Sequence, residues 1–214
     1  ITTISQKNKK LLIKDFLINE NKIKVIKLPI DSFYWNNEKK INVLTVARFT
    51  PRKGWFDLFK VAKIISNKFH FIAVGFGDLD MEEEIKKRKL ENKITVYRSL
   101  NSSQIKKLME FSDIFFLPSK FNKKEGSEGI PVVLMEAMSM KMKIVSTEDG
   151  SISELVDQVI VKSGNINQMI NALNAFSKGK KSKIGVHNRS KVMKLHNLKN
   201  IDNLKRHFEK FKKK

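Results

Sequence analysis

Along most of the chain, short apolar runs alternate with longer stretches in which apolar residues recur every three or four positions. "INVLTVA", "FHFIAVG", "KITVY", "DIFFLPS", "KIVST" and "QVIVK" are the apolar runs, and segments of helical length separate them. Continuous apolar strands alternating with amphipathic helices predict a parallel sheet covered by helices on both faces, an α/β fold of Rossmann-like type. In "WFDLFKVAKII" the positions Phe56, Phe59, Val61, Ile64 and Ile65 predict a helix packed on that sheet. Upstream, "ITTIS", a helix-like stretch to about Phe16 and "KIKVIKLPID" form a separate, shorter pattern, and the polar "SFYWNNEKK" reads as a linker before a new unit opens at Ile41. At the other end, Leu195, Leu198, Ile201, Leu204, Phe208 and Phe211 predict a basic amphipathic helix.

In a wound sheet of this kind, ligands bind outside the carboxyl ends of the strands, where loops lead into helices. The glycines gather there: Gly54 follows the first run, Gly75 and Gly77 the second, Gly126 and Gly129 the fourth, and Gly150 the fifth. Three loops on this rim bring groups suited to a phosphate or a polyol. "ARFTPRKGW" carries Arg48, Arg52 and Lys53 on a turn that can neutralise a diphosphate. "VGFGD" is a lone glycine pair and lacks the third glycine of a dinucleotide fingerprint. "EGSEGIPVVLMEAMS" places Glu128 and Gly129 just before a helix expected to begin at Pro131, so free amides and a positive dipole end face the loop.

Within that helix Glu136 stands among Val132, Val133 and Met140, which places it at the edge of a core. A carboxylate there needs a partner, either a ligand or one of the many lysines. "DLD" at Asp78–Asp80 has the look of a metal motif, but acidic residues are favoured at a helix start, and the structural role is expected.

The 214 residues are enough for one good core, and 41% hydrophobic content indicates a globular chain. No run approaches the roughly 18 apolar residues of a membrane-spanning helix. The chain has no cysteine, which excludes disulfides and thiolate metal sites. The net charge of +21 invites an anionic partner, yet only six of the 43 basic residues are arginine, the side chain favoured for reading bases and gripping phosphates. A lysine-rich solvated surface accounts for that charge more simply than a nucleic-acid site.

"VARFTPRKGW", "VGFG", "SDIFFLPS" and "EGIPVVLMEAM" followed by "IVSTEDGSISELV" resemble, in order and spacing, the C-terminal half of family-4, group-1 glycosyltransferases of the two-domain GT-B fold. The resemblance covers about residues 1–161. Its most specific part is the Glu-x7-Glu motif of Glu128 and Glu136, and the wording around it is similar to transferases of exopolysaccharide and lipopolysaccharide assembly. It implies a retaining transfer of a hexose from a UDP- or GDP-linked sugar to a glycan or lipid-linked acceptor, with no metal and no further cofactor. Glu128 would hold donor-sugar hydroxyls, Glu136 the ribose, and Arg48 with Lys53 the diphosphate. Gly129, Ile130, Pro131, Gly75 and Ser119 would line the donor site, and Arg98, where relatives often carry glycine, would line or crowd the base pocket.

By the same resemblance, residues 1–35 are the remnant of an N-terminal acceptor domain and hinge, residues 36–185 the donor-binding domain, and residues 186–214 the basic C-terminal helix. Most of the acceptor domain is expected to be missing, so a missing domain or partner chain would complete the enzyme. The implied setting is cytoplasmic, at the inner face of the cytoplasmic membrane if the basic helix docks there. Two other readings compete: a basic module on an idle scaffold that docks to an anionic membrane or nucleic acid, and an epimerase of similar architecture, which would lack the glutamate pair.

Overall fold

A computed structural model describes residues 1–3, 6–25, 40–123, 126–157, 160–177 and 183–196. The chain divides into two units, residues 1–39 and 40–214. In the first, strands β1 (Thr2–Thr3) and β2 (Lys24–Val25) pair in parallel around helix α1 (Gln6–Phe16). The linker expected at 32–40 lies almost wholly outside the described residues, as does the expected domain boundary after residue 35.

The second unit holds a six-stranded sheet. Its strands are β3 (Ile41–Val46), β4 (Phe69–Gly75), β5 (Ile94–Arg98), β6 (Ile114–Leu117), β7 (Lys143–Thr147) and β8 (Ile160–Val161). They lie in the order β5-β4-β3-β6-β7-β8, and every pairing is parallel. The chain winds outward from β3 to β5, then returns to the other side of β3 with β6. The order therefore reverses between β3 and β6, and the loops leaving those two strands part there to open a crevice.

Side chains alternate across the strands, so each strand feeds two cores. Val43, Phe71, Ile114 and Phe116 face helices α2 (Trp55–Ile64), α3 (Met81–Arg88) and α7 (Ile166–Phe176). Leu44, Ile72, Phe115 and Leu117 face α4 (Ser102–Phe111), α5 (Val132–Ser139), α6 (Ile152–Leu155) and α8 (Lys183–Leu195). This double burial explains why the strand sequences are mainly apolar, with Asn42, Thr45, His70 and Lys143 among the buried polar exceptions.

Helix α2 turns differently from its expected orientation. Trp55, Leu58, Phe59, Val61 and Ala62 form its buried face, and Ile64 is 65% exposed at its end. The sequence pattern placed Ile64 inward because it did not weigh Trp55 and Leu58, which together set the buried arc.

The last described helix begins at Lys183 and runs unbroken across residue 186. Gly185, Asn188 and Val192 are its buried positions, and Asn188 Nδ2 donates to the Met142 carbonyl at 3.2 Å. Leu198 and the apolar positions beyond it lie outside the described residues. Among the described residues, no helix is long and apolar enough to cross a membrane.

His70, near the amino end of β4, is 3% exposed, and its Nε2 lies 2.9 Å from Thr95 Oγ1 on β5. Burial, aided by the charge of Lys40, pushes its pKa down to about 4. The unfolded chain protonates near 6.5, so between those values it binds more protons than the fold does, and stability falls as pH falls. The contribution is fully present above pH 6.5, and about 2 to 3 kcal/mol of it is expected to vanish by pH 4.5. Urea unfolding of wild type and His70→Gln should show the wild-type advantage shrinking across that range. An equal difference at both ends would rule the titration out as a source of acid sensitivity.

Candidate functional site

The loop leaving β3 turns sharply on Gly54. Residues Pro51–Lys53 form one 3-10 turn, and Gly54 closes it at φ +76°. A Cβ at Gly54 would lie 1.8 Å from the Pro118 carbonyl oxygen, so only glycine lets the turn sit against the carboxyl end of β6. Several contacts hold the loop, two of them beside the turn. Trp55 Nε1 donates to the Arg48 carbonyl at 2.8 Å, and the Lys120 amide donates to the Arg52 carbonyl at 2.9 Å. Arg48 itself is exposed, whereas Arg52 is 7% exposed.

The loop leaving β6 brings Glu128 to meet this turn. Its carboxylate is 8% exposed and accepts from Ser119 Oγ at 2.8 Å and from Lys53 Nζ, with Arg52 Nη1 3.5 Å from its second oxygen. Its main chain is held by the turn that follows β7. The Glu128 amide donates to Asp149 Oδ2 at 3.3 Å, and the Ser151 amide donates to the Glu128 carbonyl at 3.1 Å. Ser119 is itself fixed, because its carbonyl accepts from Thr147 Oγ1.

Two carboxylates and two cations thus share a buried cluster. Burial alone would push the Glu128 carboxyl up, but the hydrogen bonds from Lys53 and Ser119, with the charges of Lys53 and Arg52, outweigh it and hold the group below its usual range. Asp149, 3% exposed, moves the other way. Burial raises it and the Glu128 charge adds to the rise, against the Glu128 amide and the two cations.

Gly129 and Ile130 are exposed, a Cβ on Gly129 would meet nothing within 4 Å, and among the described residues neither amide has a protein acceptor. Pro131 is the capping residue of α5 and not its first helical residue, and its carbonyl accepts from the amides of Leu134 and Met135. With φ −70° and ψ 121°, its backbone is extended, so the helix starts one residue later than expected.

Glu136 corrects the sequence reading. The buried face of α5 is Leu134, Ala137 and Met138, and Glu136 points away from it, exposed, as does Val132 at 64% exposure. No burial cost exists there, and the carboxylate needs no buried partner. It borders a cleft of about 300 Å³ whose other wall is Ser102, Ile105, Lys106 and Met109 of α4. The two glutamates therefore sit in different surroundings, one locked in a buried ion cluster and one on an open wall.

Arg98, at the carboxyl end of β5, is exposed and lies over the Phe49 ring at 5.4 Å. It grips Glu82 of α3 with two hydrogen bonds. Gly75 is its neighbour in register on β4. Asp80 caps α3, its Oδ1 accepting from the Glu83 amide at 3.0 Å. Glu125, three residues before Glu128 in the "EGSEG" run, lies outside the described residues.

Sequence reasoning set Arg52 toward a diphosphate, whereas the structure turns it to Glu128, and it gave Asp149 no role in the site. The available signal was an acidic residue followed by glycine, immediately after a strand ending in Ser146 and Thr147 whose residues are all buried.

A family model described as "Glycosyl transferases group 1" matches residues 30–193. The amylovoran biosynthesis glycosyltransferase AmsK of Erwinia amylovora is 33% identical over 122 residues, which are 55% of this chain and 30% of AmsK. The chain thus spans under a third of the first curated relatives it matches. Among solved structures, Anabaena Alr3699/HepE, crystallised with UDP and glucose, aligns over 98% of this chain and 62% of its own with a TM-score of 0.71 at 17% identity. The C-terminal domain of the group 1 family protein LpcC of Francisella tularensis aligns over 80% of this chain and 95% of its own, with a TM-score of 0.63 at 17% identity. At such identities the two structures speak for the fold alone.

Proposed function

The chain belongs to the glycosyl transferases group 1 family, and from that premise we propose that it carries the donor site of a retaining transferase. That enzyme would move a hexose from a UDP- or GDP-linked sugar to a glycan or lipid-linked acceptor in polysaccharide assembly. The observation that supports this most is the convergence on Glu128 of Lys53, Ser119 and the turn at Asp149, at the point where the strand order reverses.

A carboxylate held ionised accepts hydrogen bonds and donates none, so Glu128 suits the hydroxyls of a sugar. Glu136, on the open wall of its cleft, reaches the ribose in this reading. As the donor bond breaks, negative charge grows on the leaving diphosphate. Arg48, Lys53 and the amides of Gly129 and Ile130 at the start of α5 meet that charge with donors already in place. The cations in this scheme are side chains, and no step calls for a metal. Ser119 and Lys53 fix Glu128 in orientation, which serves binding and electrostatics better than nucleophilic attack. Acceptor binding falls to parts of the enzyme beyond this site, and the excess length of the relatives leaves room for them.

Calorimetric titration with UDP, GDP, ADP and their common sugar conjugates tests the reading. Saturable binding of one nucleotide is expected, weakened about tenfold or more by Arg48→Ala and by Glu136→Ala, a loss of about 1.4 kcal/mol each. Absence of saturable binding by a folded sample would overturn it.

A further inference from the structure

We infer that Asp149 is a positioning residue for Glu128, its carboxylate clamping the main chain of the β6–α5 loop so that the Glu128 side chain holds one orientation toward a bound sugar. The inference rests on the donor-site reading for what Glu128 touches, and on geometry alone for the clamp.

The turn after β7 grips residue 128 on both sides of its Cα. Asp149 Oδ2 accepts from the Glu128 amide, and the Ser151 amide donates to the Glu128 carbonyl. Gly150 makes the grip close: at φ +57°, a Cβ there would stand 1.9 Å from the Glu128 carbonyl oxygen. With both peptide groups tied, the remaining freedom of Glu128 lies in its side-chain torsions, and Ser119 and Lys53 hold those.

The clamp is placed where water cannot substitute for it. Asp149 is 3% exposed and Glu128 8% exposed. Removing the acceptor would strand a buried amide, which the loop relieves by moving. What the position requires is an acceptor oxygen of the right length. The charge of Asp149 is balanced against Arg52 and Lys53, but it is not what holds the amide, so asparagine can replace it.

The experiment uses this chain with two probe pairs, UDP with UDP-glucose and GDP with GDP-mannose, in wild type, Asp149→Ala, Asp149→Asn and Glu128→Gln. Amide hydrogen exchange at Glu128 and in β3 and β6 is followed alongside. Asp149→Ala is expected to leave nucleoside diphosphate affinity within about threefold while sugar-conjugate affinity falls about tenfold. It should also speed exchange at Glu128 about tenfold with the strands unchanged. Asp149→Asn should restore most of both. A merely structural residue would lower both ligands together and loosen the strands. Equal losses for the two probes, or an asparagine variant as impaired as the alanine one, would overturn the clamp. If Glu128→Gln loses the sugar increment and Asp149→Ala does not, the donor site stands and the clamp falls. If wild type binds no probe while Glu128 protection still depends on Asp149, the donor reading falls and the clamp stands.

Discussion

Replacing Lys53 with methionine is expected to destabilise the second unit by about 3 kcal/mol at pH 7. Lys53 and Glu128 side chains are 13% and 7% exposed. Removing one partner of so buried a pair leaves a carboxylate that has given up its water, and such losses run to about 3 to 5 kcal/mol. Arg52 at 3.5 Å and Ser119 at 2.8 Å remain, which sets the expectation at the lower end. Methionine replaces all but the terminal atom of the side chain, so packing is little changed.

The pH dependence identifies the cause. In wild type the Glu128 carboxyl is held low, so its contribution is present above the ordinary carboxylate range and is lost as pH falls through the folded value. Without Lys53, burial is opposed by fewer partners and the folded value rises, so protonation relieves the variant. The cost of Lys53→Met is therefore greatest at neutral pH and shrinks toward pH 4. Chemical denaturation at pH 7 and pH 4.5 measures it. A cost that stays level across that range would mean the pair is not what Lys53 contributes.

Gly54→Ala is expected to cost about 3 kcal/mol and to abolish measurable nucleotide binding. The added Cβ would fall 1.8 Å from the Pro118 oxygen and 2.5 Å from its carbon, and both are backbone atoms of the loop that leaves β6. Alanine at φ +76° costs about 1 to 2 kcal/mol in the backbone, and relief of the overlap adds about 1 to 3 kcal/mol. That relief lifts the Pro51–Lys53 turn from the sheet and carries Arg52 and Lys53 away from Glu128. The effects of Gly54→Ala and Lys53→Met therefore overlap. In a double-mutant cycle the combined cost should fall short of the sum by 1 kcal/mol or more, on the order seen for residues sharing a network. Full additivity would show that the turn keeps its place without glycine.

The winding of the sheet was legible because its chemistry is local. A strand covered on both faces is apolar on both, and "FHFIAVG" and "DIFFLPS" are nearly so, His70 being the polar residue within the first, so their nature follows from five to seven neighbouring residues. The basic turn and the glutamate loop were legible for a related reason, since both lie directly after such strands. Glu136 was misjudged because "VVLMEAMS" is apolar nearly all round. Such a helix shows no polar stripe, and its inward arc of Leu134, Ala137 and Met138 was chosen by the sheet beneath it and by α8 beside it.

By itself, then, the sequence determined which segments become strands and helices, and that the loops at one end of the sheet carry cations, glycines and a glutamate. The tertiary structure alone decided that Lys53 and Glu128, 75 residues apart, form an ion pair, and that Asp149 holds the Glu128 amide. Secondary structure depends on neighbours within a few residues. Those pairings depend on β6 lying against β3 and β7 against β6, which the order of strands along the chain does not reveal.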